Sequence, residues 1–464
     1  MRERLTVGEV AVIGLARSGV AAAKLAAREG ARVYASDSAP HHDHDASAVQ
    51  GGPDPLAATG VEVQYGGHDL DRIAKASLVI VSPGVAPQAP PVVTARDAGV
   101  PVISEVELAL WFLPKTRIIA VTGTNGKTTV TALIAHLLTA LGTEATAAGN
   151  IGVALCDVAL LRGPPTWVAL EMSSFQLHDT LSLKPVVGVL TNLAPDHLDR
   201  YETLSDYYAD KDRLFLNADT ASRWVTNADD VEVLRRTARV KGVHHRFSVN
   251  GLQVEASYER AHDMIRLFDE PLLSRAEIPL IGDHNVANVL AATLAVGAAD
   301  KAFRTAAARE VMRAGVQSFR ALPNRLEVVA DAEGVLWIND SKATNVASAR
   351  VAIEGMTRPA IVLLGGKHKG ESYAGLAPAL AARAKRVIAY GEAAERIETD
   401  LAVLGAAVPI DRLGSSFDEV VNRARALAAT GDAVLLSPAC SSFDMFNNYE
   451  ERGAAFRRMA RGQA

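Results

Sequence analysis

The octapeptide Thr122-Gly123-Thr124-Asn125-Gly126-Lys127-Thr128-Thr129 joins an apolar run, Ile118 to Val121, to a helix-forming stretch from Val130 to Leu141. The two glycines let the backbone turn its N–H groups toward one point, and the helix start adds positive potential there. Lys127 can reach β- and γ-phosphates, and the Thr128 hydroxyl can ligate Mg²⁺. A flexible glycine connector would not need Lys-Thr-Thr at its end. A general phosphate loop carries one more glycine at the position held here by Val121, so this loop is a shortened form.

Three further groups could serve the same chemistry. Glu171 ends the strand-like run Trp167 to Leu170. A carboxylate at the carboxyl end of a parallel strand can hold a nucleotide's metal, although it can equally start a helix. Asn192, Asp196, His197 and Asp199 follow the run Val186 to Leu190. A lone histidine is usually structural, but this polar run after a strand is a more specific pattern. Lys211 falls within the apolar stripe Leu204, Tyr207, Tyr208, Leu214 and Phe215 of an expected helix. Such a lysine can snorkel to water, or lose its proton through desolvation and become a reactive amine. Farther on, Asn285 and Asn288 in Gly282-Asp283-His284-Asn285-Val286-Ala287-Asn288 precede an alanine-rich helix. They can read a base by their amides, and Asn285 can instead cap the helix.

These groups must be positioned by alternating strands and helices. Short Val/Ile/Leu runs alternate with alanine-rich stretches along the whole chain, which predicts an α/β protein with parallel sheets. New sheets are expected to begin at Glu9 to Ile13, at Arg117 to Val121 and at Val335 to Ile338. With 464 residues the chain exceeds one ordinary core, and we place three domains at residues 1–107, 108–320 and 321–464. The first opens on Gly14-Leu15-Ala16-Arg17-Ser18-Gly19, with Asp37 farther on. Ala16 replaces the middle glycine of a dinucleotide fingerprint, which argues against NAD. Residues 39–55 form a polar segment whose three histidines lack a regular metal-ligand spacing.

A net charge of -5 gives no reason to expect nucleic acid, and only two cysteines, far apart, argue against a disulfide framework. There is no secretory leader pattern and no apolar run long enough for a membrane span, so a cytoplasmic protein is expected.

The loop Gly123-Thr124-Asn125-Gly126-Lys127-Thr128-Thr129, with EMSSFQL at Glu171 to Leu177, NDSKATN at Asn339 to Asn345 and SPACSSFDMF at Ser437 to Phe446, resembles the Mur ligases, on the branch that adds D-glutamate. The resemblance covers essentially the whole chain. It implies a Rossmann-like N-terminal domain, a central P-loop ATPase-like domain and a Rossmann-like C-terminal domain. It also implies ATP as a substrate, held by residues 123–129, Asn285, Asn288, Arg325 and Asp340. Two Mg²⁺ ions would be held by Thr128, Glu171, His197 and Lys211, the last as a carbamate. Leu15, Asp37, Ser38, Ser82 and Asn150 are implied to contact the uridine nucleotide and its muramoyl-peptide end, with His197 also facing that substrate. Some members carry arginine where this chain has Ala39. Lys342, Thr344, Lys369, Ser442 and Phe446 are implied for the incoming amino acid.

The implied reaction joins D-glutamate to UDP-N-acetylmuramoyl-L-alanine through an acyl phosphate. The enzyme is expected to be monomeric and to bind neither nucleic acid nor membrane. Folylpolyglutamate synthase shares the short loop, but it leaves the N-terminal β-α module unexplained. A regulator that binds nucleotide without catalysis would not require the loop lysine, metal acid, histidine and stripe lysine together.

Overall fold

The computed structural model describes residues 1–40, 55–196 and 200–463. The chain forms two compact units, Met1–Glu277 with Ala287–Ser318, and Ile278–Val286 with Phe319–Ala464.

The first unit contains two sheets. Strands β1 (Glu9–Ile13), β2 (Arg32–Asp37), β3 (Glu62–Tyr65), β4 (Leu78–Val81) and β5 (Val102–Ser104) make a parallel sheet in the order β3-β2-β1-β4-β5. Every residue of β1 is buried, as expected for a central parallel strand covered on both faces. The helix Arg17–Arg28 follows β1 and turns Ala22, Leu25 and Ala26 onto the sheet. This apolar core continues through Leu108 and Leu155 to Val168 and Leu170 of the second sheet.

That second sheet has nine strands: β6 (Arg117–Thr122), β7 (Ala145–Gly149), β8 (Trp167–Glu171), β9 (Val187–Leu190), β10 (Arg223–Asn227), β11 (Val243–Ser248), β12 (Ala256–Glu259), β13 (Met264–Leu267) and β14 (Glu270–Ser274). Their order is β14-β13-β12-β11-β10-β9-β6-β8-β7, so β6 lies between β8 and β9. The loops after these three strands therefore emerge side by side, at the carboxyl ends where open α/β sheets bind ligands. The expected all-parallel arrangement does not extend to β12, β13 and β14, which pair antiparallel. Their turns are tight, with Asp263, Phe268 and Asp269 at positive φ, and no crossover helix intervenes.

The second unit holds β15 (Glu327–Ala332), β16 (Val335–Asn339), β17 (Ala360–Gly365), β18 (Ala384–Tyr390), β19 (Ile410–Arg412) and β20 (Ala433–Leu436), ordered β15-β16-β20-β17-β18-β19. This sheet starts one strand earlier than the apolar pattern at Val335 indicates. β15 is an edge strand antiparallel to β16, and its acidic Glu327 and Asp331 hide it from a search for apolar runs. No helix among the described residues is long and apolar enough to cross a membrane.

Candidate active site

The phosphate loop is held from below by the loop after β9. Thr124 N donates to Asn192 O at 2.9 Å, Asn125 N to Asn192 Oδ1 at 2.9 Å, and Thr191 Oγ1 to Asn125 O at 2.7 Å. Gly123 has φ 143° and Gly126 φ 82°, and neither tolerates a side chain. A Cβ would stand 2.0 Å from Thr191 Oγ1 at the first and 2.4 Å from Asn288 Oδ1 at the second. Asn288 thus sits against the loop's second glycine. Lys127 opens the helix Lys127–Ala140 and folds its Nζ back onto Thr124 O at 2.8 Å, while Thr128 is buried at the helix start and Thr129 is partly exposed.

Lys211 reaches the same loop from the helix Leu204–Asp212. It is 1% exposed, lies over the Tyr207 ring, and donates from Nζ to Gly123 O at 2.7 Å. Burial, and next the charge of Lys127, hold this amine well below the usual lysine range, against Asp196, Asp210 and Glu171. Its neighbour Asp210 accepts from Tyr201 Oη at 2.9 Å and pairs with His178 Nδ1 at 2.8 Å. Hydrogen bonding to Asp210 raises the His178 pKa. His178 and Tyr201 carry no motif, and only the packing brings them here.

Glu171 closes β8 and is 1% exposed. Its Oε1 accepts from Asn150 Nδ2 at 2.9 Å, and its buried Oε2 has no hydrogen-bond partner among the described residues. An orphaned carboxylate oxygen at this place fits a cation. No group of three His, Cys, Asp or Glu side chains converges among the described residues, so a metal here would also need ligands such as the Thr128 hydroxyl. His197 lies outside the described residues, as do residues 41–54 of the histidine-bearing segment.

A cavity of about 520 Å³ opens in the first unit between the turn after β1 and the turn after β7. Asp37, Ser38, Ser82 and Asn150 all line it, so four of the residues selected for the uridine substrate come together. Leu15 is buried and contributes its backbone, with N donating to Asp37 Oδ2 at 2.6 Å. Asp37 Oδ1 also accepts from Ala39 N at 2.9 Å. Ser82 Oγ donates to Gly14 O at 2.9 Å and locks the glycine turn. Three lining residues that were not expected in the site are Arg17 in the glycine turn, Gln176 in EMSSFQL and His68, which lies in no motif. His68 Nδ1 meets Ser36 Oγ at 2.9 Å, and burial lowers its pKa against the nearby Asp37. Of the three, Arg17 was the most legible, since it stands inside the glycine turn.

In the second unit the loops after β16, β20 and β17 emerge from neighbouring strands and are tied together. Ala439 N donates to Ala343 O at 2.9 Å, and Lys367 N to Ser441 O at 2.9 Å. Arg452 is fully buried beneath them and donates to Ser341 Oγ and to the carbonyls of Ser341, Cys440 and Ser441. Asp340 accepts from Ser437 Oγ at 3.0 Å and from Leu326 N at 3.2 Å. Burial pushes its carboxyl up to about 7, against those bonds and the charge of Arg325. Lys342 Nζ donates to Tyr449 Oη at 2.9 Å, a partner that no local motif marks. Ser442 is buried, Thr344 is partly exposed and Lys369 is exposed. Phe446 packs edge-on against Phe417, with centroids 5.1 Å apart. Asn285 donates from Nδ2 to Ile281 O at 2.7 Å, which fastens the start of its helix.

Three family models match the chain: the Mur ligase MurD-like N-terminal domain at residues 8–104, the Mur ligase middle domain at 121–296, and the Mur ligase glutamate ligase domain at 324–440. The UDP-N-acetylmuramoylalanine–D-glutamate ligase of Acidobacterium capsulatum is 41% identical, over 97% of this chain and 95% of the relative. That of Salinibacter ruber is 38% identical, over 97% and 96%. Among solved structures, the UDP-N-acetylmuramate-alanine ligase of Thermotoga maritima superposes with a TM-score of 0.61 at 21% identity, covering 98% of this chain and 99% of that one. Folylpolyglutamate synthase of Mycobacterium tuberculosis gives 0.56 at 16% identity, over 75% and 93%, which shows a shared fold. The chain therefore belongs to the Mur ligase family, the ATP-dependent ligases that form amide bonds.

Proposed function

We propose that this chain joins D-glutamate to UDP-N-acetylmuramoyl-L-alanine, with conversion of ATP to ADP and phosphate, in peptidoglycan precursor synthesis. The observation that carries this is the 41% identity, spanning 97% of the chain, to a ligase named for that reaction. The cavity beside the first sheet favours this acceptor over a folate, because it gathers Asp37, Ser38, Ser82 and Asn150 at a β-α nucleotide module. The functional domains are taken as 1–107, 108–320 and 321–464, and the enzyme as a cytoplasmic monomer.

The substrate carboxylate attacks the γ-phosphorus of ATP, giving an acyl phosphate and ADP. The D-glutamate amine then attacks the acyl carbon, loses a proton, and phosphate leaves from the tetrahedral intermediate. Lys127 and the loop N–H groups compensate the phosphate charge, and Asn288 and Asn285 serve the base, with Arg325 and Asp340 serving the rest of the nucleotide. Asn150 holds Glu171 and the carboxylate end of the substrate. Lys342, Thr344, Lys369, Ser442 and Phe446 form the amino-acid site, where lysines and hydroxyls suit two carboxylates.

Two Mg²⁺ ions, held by Thr128, Glu171, His197 and Lys211, would screen the phosphate oxygens as they approach the incoming carboxylate. The neutral Lys211 amine can add CO₂ and release a proton. The new N–C bond leaves a carbamate anion, which supplies a carboxylate where the lysine itself has none. The orphaned Glu171 Oε2 and the depressed Lys211 pKa support this assignment.

The test is phosphate release with UDP-N-acetylmuramoyl-L-alanine against a panel of D- and L-amino acids. D-glutamate should give the highest kcat/KM. L-glutamate or L-alanine used better by a factor of about ten would overturn the specificity, that factor being about 1.4 kcal/mol in the transition state.

A further inference from the structure

The cavity at the first sheet contains polar groups that its own walls do not satisfy. Gln176 is 1% exposed and lines it. Its Oε1 accepts from Ser173 N and Oγ, while its Nε2 has no acceptor among the described residues. The helix Arg17–Arg28 starts at the same cavity behind Ala16, which offers no side-chain cap, so its first N–H groups are left for a ligand. Both features are donors, and they call for an anionic or carbonyl-rich ligand.

Arg17 is the one arginine or lysine among the described residues that line this cavity. Its Nη1 donates to Gly152 O at 3.1 Å, so the side chain reaches from the turn after β1 to the turn after β7. One bond of this kind leaves most of a five-donor guanidinium available. Asp37, the one acid lining the cavity among the described residues, accepts from the backbone N–H groups of Leu15 and Ala39, and the Arg17 charge is also felt by the half-buried Asp157.

We propose that Arg17 is a binding residue for the diphosphate of the substrate. Through Gly152 it also holds the glycine turn in register with the turn that carries Asn150. The inference rests on the reading of this cavity as the site for a uridine diphosphate sugar. A guanidinium suits the role because its planar fork matches phosphate oxygens in pairs, which an ammonium does not.

The experiment uses the full chain, with Arg17→Ala and Arg17→Gln, and NMR titration with UDP, uridine, inorganic pyrophosphate and UDP-N-acetylmuramoyl-L-alanine. Both variants should bind UDP and the full substrate about tenfold or more weakly, the scale of a lost charge-assisted hydrogen bond. Uridine affinity and the KM for ATP should stay unchanged. Added salt should weaken UDP binding to the parent chain more than to the variants. Pyrophosphate binding alone, with no gain from the uridine, would mark a general anion site and overturn the proposal. So would variants that bind UDP as tightly as the parent chain, or that lose UDP and uridine alike. Failure of the parent chain to bind the full substrate is a different result, since it refutes the reading of the cavity itself.

Discussion

Lys211 donates its 2.7 Å hydrogen bond to the carbonyl of Gly123, the first glycine of the phosphate loop. A lysine from the last turn of the helix Leu204–Asp212 is thereby fixed against the glycine loop that opens the helix Lys127–Ala140. The residue is 1% exposed, so its amine is shielded from water and biased toward the neutral form. The same compact unit holds this buried amine, the start of the loop helix and the Glu171 Oε2 that has no hydrogen-bond partner among the described residues.

Lys211→Ala is expected to lose most ligase activity while keeping its fold, because the helix Leu204–Asp212 retains Tyr207 and Tyr208 in the core. Added formate or acetate should restore part of the turnover by replacing the missing carboxylate. Lys211→Arg should stay inactive, since guanidinium keeps its charge and does not capture CO₂. Carbon-13 bicarbonate should give a carbamate resonance in the parent chain and none in Lys211→Ala. A fully active alanine variant would refute this role.

Lys127→Ala should lose about 10²–10³ in rate, the usual effect of removing one preorganised charge contact to a transition state. Single-turnover phosphate release measures it directly. Activity within about threefold of the parent chain, under 1 kcal/mol, would place the ATP site elsewhere.

Asn150→Ala removes the 2.9 Å bond that holds Glu171 Oε1, and it also changes the wall of the cavity. Both kcat and the KM for the uridine substrate should change, each by about tenfold, as for loss of a hydrogen bond to a charged group. The KM for D-glutamate should stay put. Steady-state kinetics with each substrate varied in turn separates these outcomes.

Glu105 supplies a pH test outside the chemistry. Its carboxyl is buried, with Oε1 accepting from Cys156 N at 2.6 Å and Oε2 without a hydrogen-bond partner among the described residues. Burial raises its pKa from 4.5 to about 7. Between those values the folded chain binds more protons than the unfolded one, so this group's contribution to stability falls as pH rises through about 7. Glu105→Gln keeps the acceptor and titrates nothing. Its melting temperature should gain on that of the parent chain as pH increases from 5 to 8. A difference independent of pH would contradict the shift.

The sequence alone determined the parts of this protein that depend on neighbours along the chain. The strand, glycine turn and helix around Lys127 are local, and so is the placement of Glu171 and Asn192 at strand ends. The apolar stripe around Lys211 marked a helix, because periodicity reports which face is buried. The resemblance of NDSKATN and SPACSSFDMF to one branch of the family carried the rest. Tertiary structure decided what those strings meet. It set Asn288 against Gly126 and His178 on Asp210, and it gathered Arg17, His68 and Gln176 around one cavity. It also joined Lys342 to Tyr449 and set Phe446 on Phe417. None of these pairs has a sequence spacing that local geometry dictates. They arise when separate strands and helices pack, and the acidic edge strand Glu327–Ala332 is recognisable as a strand only once β16 pairs with it.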